Sequence, residues 1–376
     1  MAIPLCGRHT KVQKQHVRLQ CAEFAVKSYF YFMKRSVFFK QLLLTGGAIA
    51  SGQQLVAAPP SSHPKKWIIP KHLQPGDAIG ITCPSGFALQ EDIAPAIQSL
   101  EKWGLRVVVG KTVGRKDHTF GGTDEERAAD FQSMVDNHEL KAILCARGGY
   151  GAVRIIDKID FSSLRRHPKW IIGYSDITVF HSHLHAQAGI ASIHAKMTEG
   201  FPSDSSLFEP IQLQALDTLR QALLGENLTY TVAANPRNRP GDASGILIGG
   251  NLKILETLAG TPSDIDTRNK IFFVEDVGEA LYSIDRMFCN LKRSGKLSNL
   301  KALIIGSFTR IRPDDPDEPF GRTIYDIVWE QVKEYDYPVC FDFCVGHQKN
   351  NVALKCGVQH RLQVSSDNTT LTLLQA

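Results

Sequence analysis

Apolar residues along this chain fall into short runs separated by stretches of helical spacing. Residues 77–83 read as a buried strand that stops at Pro84-Ser85-Gly86, because a short apolar run closed by turn formers has the look of a strand covered on both faces. Helical spacing follows over 93–103, and 106–109 is a second strand. Residues 124–135 predict a helix with Asp124, Glu125 and Glu126 in its first turn, where acids favour the helix dipole. The alternation continues with a strand at 141–146, a helix at 151–159, a strand at 170–173, a helix at 177–187 and a strand at 190–194. Short strands alternating with helices imply βαβ units and a parallel sheet.

From 201 to 243 the pattern loosens into polar, Pro-rich sequence with one helix near 211–224. Strands are predicted again at 245–248, 271–274, 302–305 and 339–343, with helices near 252–258, 281–293 and 323–334 between them. Residues 352–374 read as short β segments joined by polar turns. The predicted fold class is α/β, with an N-terminal parallel-sheet domain and a C-terminal mixed α/β domain. The expected boundaries are 1–66 for a leader-like segment and linker, 67–205 for the first domain, 206–243 for a linker region, and 244–376 for the second domain.

Composition narrows the picture. The chain has 376 residues, 43% hydrophobic and 22% charged, which excludes a disordered or collagen-like protein and leaves room for two domains with their own cores. The net charge of +5 belongs to the N-terminus: residues 1–60 carry eight Lys/Arg against the single acid Glu23. The remaining 316 residues sum to −2, so the body lacks the basic footprint of a nucleic-acid binder. Within the basic segment, Met33-Lys34-Arg35-Ser36-Val37-Phe38-Phe39-Lys40 precedes the small, apolar run 42–50. A positive flank, a short apolar stretch and small residues near Ala48-Ile49-Ala50 and Val56-Ala57-Ala58 resemble an export signal of twin-arginine type with Lys for the first Arg. This reading sends the protein to the periplasm and allows translation from Met33; a cytoplasmic protein with an amphipathic tail is the alternative. The eight cysteines form no CxxC and no paired metal-ligand spacing. Cys340 and Cys344 could pair in an oxidising compartment.

Two strand-to-helix junctions could carry chemistry. Ala146-Arg147-Gly148-Gly149-Tyr150-Gly151 follows the strand at 141–146; its glycines permit positive φ and close approach, and its N–H groups could hold an anion or an oxyanion. GxGxxG and a Walker lysine are both missing, so nucleotide binding has little support. Gly173-Tyr174-Ser175-Asp176 follows the strand at 170–173. A serine at that turn has the geometry of a nucleophile elbow, with the Asp176 N–H facing a developing oxyanion, although a helix N-cap also accounts for Ser175. Such a serine needs a base and an orienting carboxylate. Of His181, His183 and His185, only 181 and 185 share a helix face, which argues against zinc. His194 reads as a core residue within a strand. His347 follows the strand at 339–343, and Glu275-Asp276 closes the strand at 271–274, either capping the helix at 278 or supplying the third catalytic group.

These segments together resemble the LD-carboxypeptidases, serine peptidases of murein metabolism. The resemblance rests on Gly76-Asp77, Cys83-Pro84-Ser85-Gly86, the 146–151 and 173–176 motifs, Gly249-Gly250-Asn251-Leu252, Phe273-Val274-Glu275-Asp276, Ile284-Asp285-Arg286-Met287 and Gly346-His347, in family order from about 67 to 365. It implies Ser175 as nucleophile, His347 as general base and acid, Glu275 orienting the imidazole, and an oxyanion held by the N–H groups of Asp176 and Gly149. The resemblance also implies a site in the cleft between the domains, a homodimer, and no metal or cofactor. The implied reaction cleaves the amide between the L-centre of the diamino acid and the terminal D-alanine of a murein tetrapeptide. Arg147 is the candidate for the substrate's free carboxylate, with a structural arginine as the alternative. Competing readings are a self-immunity hydrolase cleaving a peptidyl-nucleotide antibiotic, a non-catalytic binder of wall peptides, and a phosphate-binding protein using the 148–151 turn.

Overall fold

The computed structural model describes residues 67–374; the signal-like segment and the proposed cleavage sites lie outside them. Two β-sheets organise these residues. In the first, β1 (Ala78–Thr82), β2 (Arg106–Val109), β3 (Leu140–Cys145), β4 (Trp170–Gly173) and β5 (Ser192–His194) are all parallel, in the order β5-β4-β3-β1-β2. Strands β1 and β4 are buried along their whole length, the state expected for parallel strands covered on both faces. Between the strands run α1 (Gln90–Lys102), α2 (Asp124–Asp136), the short α3 (Ala152–Ile155) and α4 (Thr178–His183), which continues as a π-helical turn to Ala188. Thr123 and Glu126 begin α2 with reciprocal side-chain to backbone bonds, a capping box.

The second sheet has the order β10-β9-β8-β7-β12-β13-β6. Its strands are β6 (Thr229–Ala233), β7 (Gly241–Asn251), β8 (Lys270–Val277), β9 (Ala302–Thr309), β10 (Val339–Cys340), β12 (Gln359–Val364) and β13 (Asn368–Leu373). Strands β7 to β10 are parallel, while β12, β13 and β6 extend the sheet in antiparallel fashion. Helices α5 (Pro210–Leu224), α6 (Leu252–Thr257), α7 (Leu281–Arg293) and α8 (Ile324–Val332) complete the architecture. Strand β11 (Leu354–Cys356) leaves this half of the chain and pairs antiparallel with β5, closing the first sheet. Residues 206–243 contain both α5 and β6, and β6 pairs with β13 at the edge of the second sheet.

Two differences from the sequence expectation affect the site. The strand expected over 339–343 ends at Cys340; Asp342 adopts φ 57°, which breaks the extended geometry, and Phe343 N–H bonds to Ile305 O at 3.0 Å. His347 therefore sits on an irregular segment laid along β9. Strand β8 runs on to Val277, so Glu275 and Asp276 lie within it. Cys340 and Cys344 are both buried free thiols.

The strand-end loops of the first sheet share one buried cation. Arg127, fully buried on α2, donates from Nη1 to Pro84 O at 2.5 Å and to Gly151 O at 2.9 Å. Its Nε donates to Gly122 O at 3.2 Å and its Nη2 to Asp124 Oδ1 at 2.5 Å. Losing a buried cation that satisfies three carbonyls and a carboxylate costs on the order of 3 kcal/mol. The expected result for Arg127→Met is that much lost stability in urea denaturation; a loss below about 1 kcal/mol would show that these loops are held by other contacts.

Candidate active site

Strand β4 delivers the chain to a sharp turn. Gly173 ends the strand, Tyr174 remains extended, and Ser175 takes φ 62° at the head of a 3₁₀ turn that leads into α4. A non-glycine residue in this left-handed region costs roughly 1–3 kcal/mol and persists only where its surroundings over-determine it. Tyr174, not Ser175, holds the N-cap position of the turn, so the Ser175 hydroxyl is not placed as a cap. It lies against the glycine-rich loop: a Cβ added to Gly148 would come 3.2 Å from Ser175 Cβ and 3.4 Å from its Oγ.

The carboxylate of Asp176 supplies the over-determination. It is buried, and Oδ2 accepts from Ser85 Oγ at 2.6 Å and from Ala152 N–H at 2.8 Å. Burial raises its pKa, and the donors Ser85 and Ala152 partly offset that rise. The loops after β1 and β3 are thereby tied to the elbow after β4. Gly86 N–H reaches Gly148 O at 2.9 Å in the same cluster, and Gly149 follows with φ 96°.

The second sheet contributes an acid–imidazole pair. Glu275 is fully buried, and its Oε2 accepts from His347 Nδ1 at 2.7 Å. Gly346 permits this approach: a Cβ there would lie 2.7 Å from both Glu275 Oε2 and Ser307 Oγ. Gly346 N–H bonds to Asn351 Oδ1 at 2.9 Å, and His347 O accepts from Thr309 Oγ1 at 3.1 Å, so the loop is held on both sides of the imidazole.

Because side chains alternate along a strand, Asp276 points the other way. It accepts from Asn251 Nδ2 at 3.1 Å and from Lys253 N–H at 2.8 Å, at the start of α6. Asp276 thus supports the first turn of α6, whose N-cap is Asn251, and not the helix after 278. Asn251 N–H in turn donates to Thr178 Oγ1 at 3.0 Å, joining the second sheet to the first turn of α4. The Tyr174 ring packs 4.9 Å, centroid to centroid, from that of His347. Tyr174, the residue before Ser175, thus touches the imidazole of the Glu275–His347 pair.

The remaining candidates separate. Arg147 is exposed, its Nη1 donating to Phe87 O at 3.3 Å and its guanidinium 5.4 Å from the Phe87 ring centroid. His181, His183 and His185 bond separately to Gly173 O, Ser263 Oγ and Ser192 Oγ. His194 is buried among Tyr174, His181 and Phe273. Sequence reasoning gave no role to Tyr174, Asn251, Ser85 or Arg127. The first three lie inside the motifs quoted above, whereas Arg127 carried no signal beyond a charge at a helix position.

Comparison with known proteins agrees with this architecture. Residues 79–195 match the LD-carboxypeptidase N-terminal domain and residues 244–362 the LD-carboxypeptidase C-terminal domain. A Bacillus subtilis protein named "Probable murein peptide carboxypeptidase" is 33% identical over 80% of this chain and 93% of its own. The crystal structure of muramoyltetrapeptide carboxypeptidase from Oxalobacter formigenes is 29% identical, with a TM-score of 0.70 over 79% of this chain and 98% of its own. The chain belongs to the LD-carboxypeptidase family and is an enzyme of that type. A more distant relative is the microcin C7 self-immunity protein MccF of Escherichia coli, 24% identical over 83% of this chain and 96% of its own.

Burial, more than its donors can offset, raises the Asp276 pKa from 3.8 to about 6. A carboxyl group with a raised folded-state pKa favours the folded protein when protonated, and that contribution is lost as pH rises through the folded value. The stability of the wild type relative to Asp276→Asn should therefore fall by up to about 3 kcal/mol between pH 3 and pH 7. Denaturant titrations of the two proteins across that range measure it, and a flat difference would show that Asp276 ionises at no cost.

Proposed function

We propose that this enzyme hydrolyses the amide between the L-centre of the diamino acid and the terminal D-alanine of murein tetrapeptides, with Ser175 as nucleophile, His347 as general base and acid, and Glu275 orienting the imidazole. The observation that carries the reading is the 2.7 Å bond from His347 Nδ1 to the fully buried Glu275. It commits one ring nitrogen to the carboxylate and leaves Nε2 to take the proton of a nucleophile. The left-handed turn at Ser175 supports the role of nucleophile.

In this mechanism Nε2 removes the Ser175 proton as Oγ bonds to the scissile carbonyl carbon. The N–H groups of Asp176 and Gly149 receive the oxyanion, each worth about 3 kcal/mol in comparable sites. His347 returns the proton to the D-alanine nitrogen as the C–N bond breaks, and water then hydrolyses the ester by the same base. Arg147 receives the free carboxylate of D-alanine. The enzyme acts as a homodimer, which sedimentation would test. The second reading, hydrolysis of a peptidyl nucleotide, draws on the half-exposed Tyr150 ring beside Gly149, 5.8 Å from that of Phe120, because such rings can stack a base.

D-alanine release from a murein tetrapeptide is expected for the wild type and should vanish for Ser175→Ala. Glu275→Gln should lower kcat by about 10⁴ with little change in KM. A folded wild type that releases no D-alanine yet cleaves a peptidyl nucleotide would replace the first reading with the second.

A further inference from the structure

One carboxylate, bonded to the tyrosine that packs on the imidazole, has no part in the chemistry above. Glu199 lies in the 3₁₀ turn Thr198–Gly200, which follows β5 on the same strand-end edge as Ser175. Thr198 fastens this turn to the glycine-rich loop, donating from its N–H at 3.2 Å and its hydroxyl at 2.7 Å to Ala146 O. The Met197 methyl fills the space that Gly148 leaves, 3.2 Å from where a Cβ would stand. Glu199 itself is exposed, and its Oε1 accepts from Tyr174 OH at 3.3 Å. The same Tyr174 ring packs on His347, so the carboxylate is anchored one tyrosine away from the reacting groups.

Among the described residues, Glu199 forms no ion pair; desolvation raises its pKa, and its hydrogen bonds and the charges of Lys196 and Arg147 offset that only in part. An unneutralised acid at the mouth of a site that must admit an anionic peptide terminus would repel its substrate, unless the substrate also brings a cation. A diamino acid does so. Its second amine is protonated at neutral pH, while its α-nitrogen is already in an amide. Arg147, at the start of the glycine-rich loop with its guanidinium 5.4 Å from the Phe87 ring centroid, offers the opposite charge to the D-alanine carboxylate.

We propose that Glu199, held by Tyr174, determines specificity by receiving the side-chain ammonium of the diamino acid on the acyl side of the scissile bond; this inference rests on the murein-peptide reading. The test compares two tetrapeptides, one with lysine at the third position and one with that lysine's side-chain amine acetylated. The wild type should prefer the free amine in kcat/KM by about 10- to 100-fold, mainly through KM. Glu199→Gln keeps an oxygen to accept from Tyr174 but loses the charge, and its preference should collapse to near unity. Glu199→Lys should invert it toward a succinylated side chain.

An active wild type with no preference, or a Glu199→Gln enzyme that keeps the wild-type ratio, would overturn the inference and reduce Glu199 to a support for Tyr174. A wild type that releases D-alanine from neither tetrapeptide would instead overturn the murein reading, and this inference with it.

Discussion

Asp176 holds this molecule's chemistry in place through one buried carboxylate. By accepting from Ser85 and from Ala152 N–H, it binds the loops after three neighbouring strands into one rigid edge. The left-handed backbone at Ser175 is unfavourable alone, and hydrogen bonds made by the very next residue are what keep the chain there. Arg127 reinforces the same edge from beneath through Pro84 O and Gly151 O. An acid and a cation, both buried and both hydrogen-bonded to these loops, thus frame a turn that apolar packing could not specify, because packing alone does not distinguish one loop conformation from another.

The second sheet solves a different problem with the pleat of β8. Consecutive acids on one strand face opposite sides, so Glu275 turns toward His347 and Asp276 toward Asn251 and the start of α6. One residue bonds the imidazole while its neighbour ties that sheet to the helix behind the elbow, through Asn251 N–H and Thr178. Both halves of the chain match domains of the LD-carboxypeptidase family, residues 79–195 the N-terminal one and residues 244–362 the C-terminal one.

Much of this was legible from the pattern of apolar residues. Strands β1, β3 and β4 and helix α7 stand within a residue or so of where periodicity put them, because each is long or apolar enough for its period to dominate. The pattern failed where tertiary contacts override it. Phe341 and Phe343 are as apolar and buried as strand residues, yet the exposed, left-handed Asp342 between them breaks the ladder, and Phe343 N–H bonds instead to Ile305 O of β9. Strand β6, in a polar stretch, exists because β13 lies ready to pair with it. Strand β11 likewise joins a sheet built from the other half of the chain, which no local signal announces.

The order of residue types and motifs by itself determined the α/β class, the strand-to-helix turn at Ser175 and the family, because alternation, turn residues and spacing are properties of the chain read locally. The pairing of His347 with Glu275, seventy-two residues apart, the opposite facing of Asp276, and the meeting of Tyr174 with both His347 and Glu199 were decided only in three dimensions. Each is a contact between segments whose separation the sequence pattern does not constrain. Each depends on strand register and side-chain direction, which are settled when the two sheets assemble against α4.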